Sequence, residues 1–330
     1  MPLEIGPFQL KNKLLLAPMA GITDKPYRDV CRRYGVGLTV SEMITSDLSL
    51  MQSRKTQLKL IHRDEPEPRS VQIVGTNPEV MAKAAQFNAR NGANIIDINM
   101  GCPAKKVCNT AAGSALMRDP ALVKRILTAV MDAVDIPVTL KIRTGWDYSQ
   151  RNAMEIALLA EKCGISSLVV HGRTKSQAYT GFAEYETIRQ IKKNTTIPII
   201  ANGDISNVKD ALFILQYTNA DGLMLGRITY GQPWIIKEIS DALENNSSQK
   251  EIEINEKINV FLEHIHAIHR HYGADQGVRI ARKHIGWYLF NLVGHNQILL
   301  KNLKKKLFSL TDAQSQYNEL CDVLYTIDFD

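Results

Sequence analysis

A (β/α)8 TIM barrel followed by a smaller C-terminal all-helical domain is the fold class this sequence predicts, and three observations carry the prediction. From Leu14 to about Tyr230, short β-type runs alternate with helix-length stretches. The polar residues of those runs gather at or just beyond their C-terminal halves. After Trp234 the β-type runs cease and helical periodicity alone continues.

The eight strand candidates are residues 14–17, 38–41, 71–74, 95–99, 138–142, 167–171, 197–201 and 222–225. Their near-continuous apolar character is that of parallel strands covered on both faces. Helix-length stretches at 79–91, 121–134, 152–162 and 185–194 lie between them and provide that cover. In chain order the runs deliver Pro18-Met19, Glu42, Gln72, Asn99, Lys141 with Arg143, His171, Asn202 and Gly226-Arg227. A barrel builds its active site from several strands in this way, at the C-terminal face. An open doubly wound sheet is the alternative, but no Gly-x-Gly-x-x-Gly turn follows the first run.

The expected division is a barrel over 1–242, a polar Asn/Ser/Gln-rich linker over 243–255 and a helical domain over 256–330. Apolar positions Ile258, Phe261, Leu262, Ile265 and Ile268 recur at helical spacing. Residues 256–306 hold nine Lys/Arg against three Asp/Glu, and six of the eight histidines (264, 266, 269, 271, 284 and 295) fall in this half. Their spacing is poor for ligands on one helix face, so no metal is expected.

The net charge of +6 mildly favours an anionic partner. Five scattered cysteines without a CxxC pair argue against a disulfide framework or a structural zinc. The opening residues resemble no signal peptide, and no apolar run reaches bilayer length, so a cytoplasmic location and no membrane contact are expected.

Asn99-Met100-Gly101-Cys102-Pro103 follows the apolar run Ile95-Ile96-Asp97-Ile98 and places a thiol in a loop at a strand's C-terminal end. Pro103 pushes Cys102 towards extended geometry. Lys141 and Arg143, two residues apart, point to one face of their strand. They are either an anion site or a structural ion pair with a carboxylate such as Asp97. His171, before Gly172, ends its strand at the rim, where function and satisfied burial compete. Asn202-Gly203-Asp204 and Gly226-Arg227 occupy the usual phosphate loops of such barrels, unless they are ordinary turns. Arg279, Arg282, Lys283 and His284, beside Trp287 and Tyr288, suit phosphate contact and base stacking, or a solvated helix face over a buried Trp.

Taken together and in order, these motifs resemble the tRNA-dihydrouridine synthases, most of all their bacterial B-type subgroup. The resemblance is nearly full length. It includes Ala17-Pro18-Met19-Ala20-Gly21-Ile22-Thr23-Asp24, Lys141-Ile142-Arg143-Thr144-Gly145-Trp146, His171-Gly172-Arg173-Thr174 and Arg279-Ile280-Ala281-Arg282-Lys283-His284. It implies an FMN enzyme reduced by NADPH, with a helical domain that grips tRNA. By matching position, Pro18, Met19, Ala20 and Gln72 would contact the flavin ring and Lys141 and His171 would line it. Asn202, Gly203, Asp204, Gly226 and Arg227 would hold its phosphate.

Cys102 matches the family's proton donor. Asn99, Arg143, Arg279, Arg282, Lys283 and His284 fall on the substrate side. Lys105 and Lys106 are expected to face RNA phosphate, since cations aimed at the sulfur would acidify a thiol that must stay protonated. The implied reaction is hydride delivery from FMN to C6 of a D-loop uridine, position 17, with protonation at C5 by Cys102. The base must leave its stack to be reached. A flavin barrel acting on a free pyrimidine gives no use for the basic helical half. A silent RNA-binding barrel gives none for Cys102, Lys141 and His171.

Overall fold

The computed structural model describes residues 2–50, 53–59, 64–244, 252–294 and 296–327. A hairpin of β1 (Glu4–Ile5) and β2 (Phe8–Gln9) opens the chain. Its flanking Leu3 and Leu10 and its Ile5 are buried with Leu15, Ile95, Val169, Ile200 and Met224 from the barrel interior. The hairpin thereby stops one end of the barrel. Two-residue strands carry too short an alternation to be read from sequence.

The barrel follows as β3 (Leu14–Leu16), α1 (Lys25–Arg33), β4 (Leu38–Thr39), β5 (Ile44–Thr45), α2 (Arg54–Gln57) and β6 (Ser70–Val74). It continues through α3 (Pro78–Arg90), β7 (Ile95–Met100), α4 (Lys105–Cys108), α5 (Pro120–Met131), β8 (Val138–Arg143) and α6 (Ala153–Lys162). It ends with β9 (Ser167–His171), α7 (Glu186–Asn194), β10 (Ile199–Asn202), α8 (Val208–Thr218), β11 (Gly222–Leu225) and α9 (Ile235–Leu243). Side chains of Asp24, Asn77 and Asp119 accept from free N–H groups at the starts of α1, α3 and α5, each with a proline in the first turn.

All barrel pairings are parallel, in the order β4-β3-β11-β10-β9-β8-β7-β6-β5. β4 and β5 are two halves of one barrel strand. The Val40–Ser70 bridge and the Ser41 N–H to Ser70 carbonyl bond (3.0 Å) close the ring between them. Eight strand positions result, as the sequence predicts, with the second interrupted where Glu42 sits.

The helical region comprises α10 (Ile254–Tyr272), α11 (Ala274–Val293), α12 (Gln297–Ser309) and α13 (Ala313–Thr326). α10 begins two residues before the expected boundary, and most of the expected linker (245–251) lies outside the described residues, as does His295. One apolar core runs from the barrel shell into these helices, joining Tyr27, Cys31 and Trp234 to Phe261, Ile265 and Tyr288. Ring contacts line the junction: Phe261 stacks on Tyr288 at 4.4 Å, and Tyr230 on Trp287 at 4.1 Å. No helix among the described residues is long and apolar enough to cross a membrane.

Candidate active site

A cavity of about 1400 Å³ opens at the C-terminal ends of the strands. It gathers Pro18, Met19, Ala20, Gln72, Asn99, Cys102, Lys141, Arg143, His171, Asn202, Gly203, Asp204, Gly226 and Arg227. These residues are 209 positions apart at the extremes and come from seven strand ends, which is what parallel alternation does to terminal side chains.

The Cys102 loop is fixed by a relay from the buried Asp97. Asp97 accepts from Thr139 Oγ1 and Gln72 Nε2, both at 2.6 Å. That sets the Gln72 amide so that its Oε1 accepts from Asn99 Nδ2 at 2.7 Å. Asn99 Oδ1 is then turned to the backbone N–H groups of Gly101 and Cys102, at 3.1 and 3.0 Å. From the other side Arg143 Nε donates to the Gly101 carbonyl at 2.8 Å. Asn99, expected to touch substrate, lines the cavity while both ends of its amide are engaged in the bonds that fix the loop.

Burial pushes the Cys102 thiol up, partly offset by the backbone N–H of Ala104. The thiol is therefore protonated at neutral pH, as a proton donor must be. Lys105 and Lys106 are exposed on α4 and take no part in that balance. Cys108, at the end of α4, lies 3.5 Å from both the Cys102 carbonyl and Ser114 Oγ.

The strand ends next to the Cys102 loop are cationic. Lys141 donates to Asn202 Oδ1 at 2.8 Å, and burial, reinforced by Arg143, lowers its pKa to about 7. Burial together with Lys141, Arg143, Arg173 and Arg227 drives His171 well below its usual pKa, so its ring is neutral. Its Nδ1 is buried and has no partner among the described residues. Arg143 is lowered to about 10, chiefly by burial, and stays charged. Of the two cations for which the sequence leaves open a structural pairing with Asp97, Lys141 feels that carboxylate and Arg143 is held otherwise. Arg143 instead donates to the carbonyls of Gly101, Thr174 and Ala178.

The sequence puts Asp204 among the phosphate contacts, but its carboxylate is occupied. Arg173 meets it with two bonds of 2.7 and 2.6 Å, Ala183 N–H donates at 2.7 Å, and Arg227 approaches at 3.3 Å. A carboxylate beside a phosphate would repel it, so Asp204 orients the two arginines. Arg173, within a quoted motif but not singled out as a ligand residue, is the buried half of that pair. Arg143, Arg173 and Arg227, with Lys141 titrating near neutrality, line the cavity with Asp204 and Asp210; together with a buried histidine nitrogen that has no partner among the described residues and the Pro18–Ala20 turn, they suit a planar group carrying an anionic tail.

The dihydrouridine synthase family model matches residues 15–326. The chain belongs to the dihydrouridine synthase family. It is accordingly an oxidoreductase of a flavin-using family. It is 56% identical over 291 residues to the tRNA-dihydrouridine synthase B of Pseudomonas aeruginosa, covering 88% of each chain. Identity to the protein of that name in Pseudomonas syringae pv. tomato is 56% over 314 residues, 95% of this chain and 91% of the relative. For that of Vibrio vulnificus it is 53% over 287 residues, 87% and 89%. A 2-naphthoyl-CoA reductase structure shares the fold, with TM-score 0.57 and 13% identity over 74% of this chain and 52% of that one.

In this family member the helical half differs from expectation. His284 is not a substrate contact: it is 1% exposed, edge-on to His264 at 4.9 Å and to Trp287 at 5.2 Å. Lys283 turns towards the barrel and donates to the Gly21 carbonyl. Arg282 donates to the Leu310 carbonyl at 3.1 Å. Arg279 alone of the four is exposed. Local sequence pattern also misses that α11 walls the cavity itself, through Trp287, Phe290 and Asn291. Asn291 is anchored there by its bond to the Tyr230 carbonyl at 2.8 Å.

Proposed function

We propose that this enzyme reduces the C5–C6 double bond of a D-loop uridine in tRNA, position 17, using FMN and NADPH, in the cytoplasm. The observation that carries the reading is the Cys102 thiol, held by its loop bonds in a cavity that Lys141, Arg143, Arg173 and Arg227 also line. When bound, the flavin supplies the hydride that adds to C6 of the uracil.

Pro18, Met19, Ala20 and Gln72 border the space for its ring, with Lys141 and His171 beside them. Asn202, Gly203, Gly226, Arg227 and Arg173 surround the space for its phosphate, with Asp204 aligning the arginines. Cys102 gives its proton to C5, and the fixed loop aims the sulfur so that this transfer needs no search. Arg143, charged at neutral pH, stabilises the negative charge that the base carries before the proton arrives. Exposed Lys105, Lys106 and Arg279 face the RNA backbone.

Two measurements test the reading. Purified protein should show flavin absorbance, and tRNA from a strain lacking the gene should lose dihydrouridine at position 17. A colourless protein, or unchanged tRNA, contradicts it.

A further inference from the structure

The turn from Pro18 to Thr23 is closed on itself. The N–H groups of Ile22 and Thr23 donate to the Met19 carbonyl at 2.9 and 3.0 Å, and Met19 N–H donates to Thr23 Oγ1 at 2.8 Å. The turn is therefore braced internally, and its residues Pro18, Met19 and Ala20 line the cavity. Ala20 and Gly21 at its tip are exposed, so packing does little to fix them.

Two ties reach that tip from distant elements, one on each polar group of the same residue. The Gly21 N–H donates to Glu42, which stands in the break of the second barrel strand and is 1% exposed. The Gly21 carbonyl accepts from Lys283 Nζ on α11, 262 positions away. Gly21 has φ +76°, and a Cβ there would come within 3.6 Å of Lys283 Nζ.

The carboxylates explain why the lysine stays. Asp24 and Glu42 both favour its charged form against the cost of burial. Asp24 is itself buried and accepts from Tyr272 of α10 at 2.8 Å, while Lys59 meets Glu42 at 3.3 Å. Lys283 thus completes a polar junction between the helical region and the flavin-side turn.

We propose that Lys283, acting with Glu42 on the two polar groups of Gly21, is a positioning residue that clamps the Pro18–Gly21 turn, so that docking of the helical region sets how tightly the barrel holds its flavin. This rests on the FMN reading above. A lysine serving as a tRNA phosphate contact would leave flavin binding alone, and that difference separates the two roles.

The test is titration of the full-length chain with FMN, together with tRNA binding across a salt series. Lys283→Met should raise the FMN dissociation constant at least fivefold, and Lys283→Arg, which keeps a donor and a charge, should recover most of it. The tRNA salt slope should stay at the parent value in both. Glu42→Gln keeps an acceptor without the charge and should weaken FMN binding less than Lys283→Met. It is also the deciding variant if circular dichroism shows Lys283→Met unfolded. Parent-like FMN affinity in Lys283→Met, or in Glu42→Gln should the first not fold, overturns the clamp while leaving the FMN reading intact. A parent chain that binds no FMN overturns both.

Discussion

Cys102 carries the sharpest test because its role separates two half-reactions. Flavin binding and its reduction by NADPH need no thiol, so Cys102→Ala should retain both. Turnover of unmodified tRNA should fall by about 10²–10⁴-fold, the usual worth of a placed general acid. Single-turnover oxidation of prereduced enzyme by tRNA reads this directly, and a parent-like rate would assign the proton to another group. Cys102→Ser should be nearly as impaired, since a hydroxyl is a far weaker acid than the thiol it replaces.

Asp24 offers a second test, through pH. Burial raises its pKa from 3.8 to about 6, against the opposing bonds from Tyr27 N–H and Tyr272. A carboxyl raised in the folded state stabilises the fold when protonated. That contribution is present below about pH 4 and lost as pH climbs through about 6. Asp24→Asn removes the titration and still offers an acceptor for the helix cap. Urea melts should then show the variant gaining on the parent by up to about 3 kcal/mol from pH 4 to 7. A constant difference across that range would contradict the assignment.

The loop that leads from β11 into α9 meets α11 backbone to backbone at Gly231. A Cβ there would lie 2.3 Å from the Trp287 carbonyl carbon, at φ +65°. Gly231→Ala must therefore part α11 from the barrel and undo the Tyr230–Trp287 stack. A loss of about 3 kcal/mol or more is expected, and a melting temperature near the parent's would refute the close approach. Such pairings explain what sequence does and does not disclose. The strand ends that carry Gln72, Lys141, His171 and Asn202 are legible because apolar runs and following glycines bound them locally. The Arg173–Asp204 pair, the Lys283–Gly21 contact and the reach of α11 into the cavity depend on packing across 31, 262 and 61 positions. No local pattern encodes them. Burial of His284 is hidden for a related reason: a cationic helix reads as solvated until its other face is known to meet Tyr27 and His264.

For the molecule as a whole, the proposed reaction assigns the RNA grip to exposed cations. On the helical half these include Arg279, Lys301 and Lys305, whereas Lys306 is paired with Glu319. Neutralising Arg279, Lys301 and Lys305 together should flatten the log–log dependence of tRNA affinity on salt by something under one unit per lost contact. An unchanged slope would move the grip elsewhere on the surface. Phe182, which is 89% exposed and lines the same cavity, offers an aromatic face of the kind on which bases stack. The wall shared between β-barrel and α11 has an optical consequence as well. Trp287 is one of only three tryptophans in the chain and lines the cavity proposed to hold the flavin. Its emission overlaps flavin absorbance, so the protein carries a built-in optical gauge: as the cofactor enters, the light from Trp287 goes out.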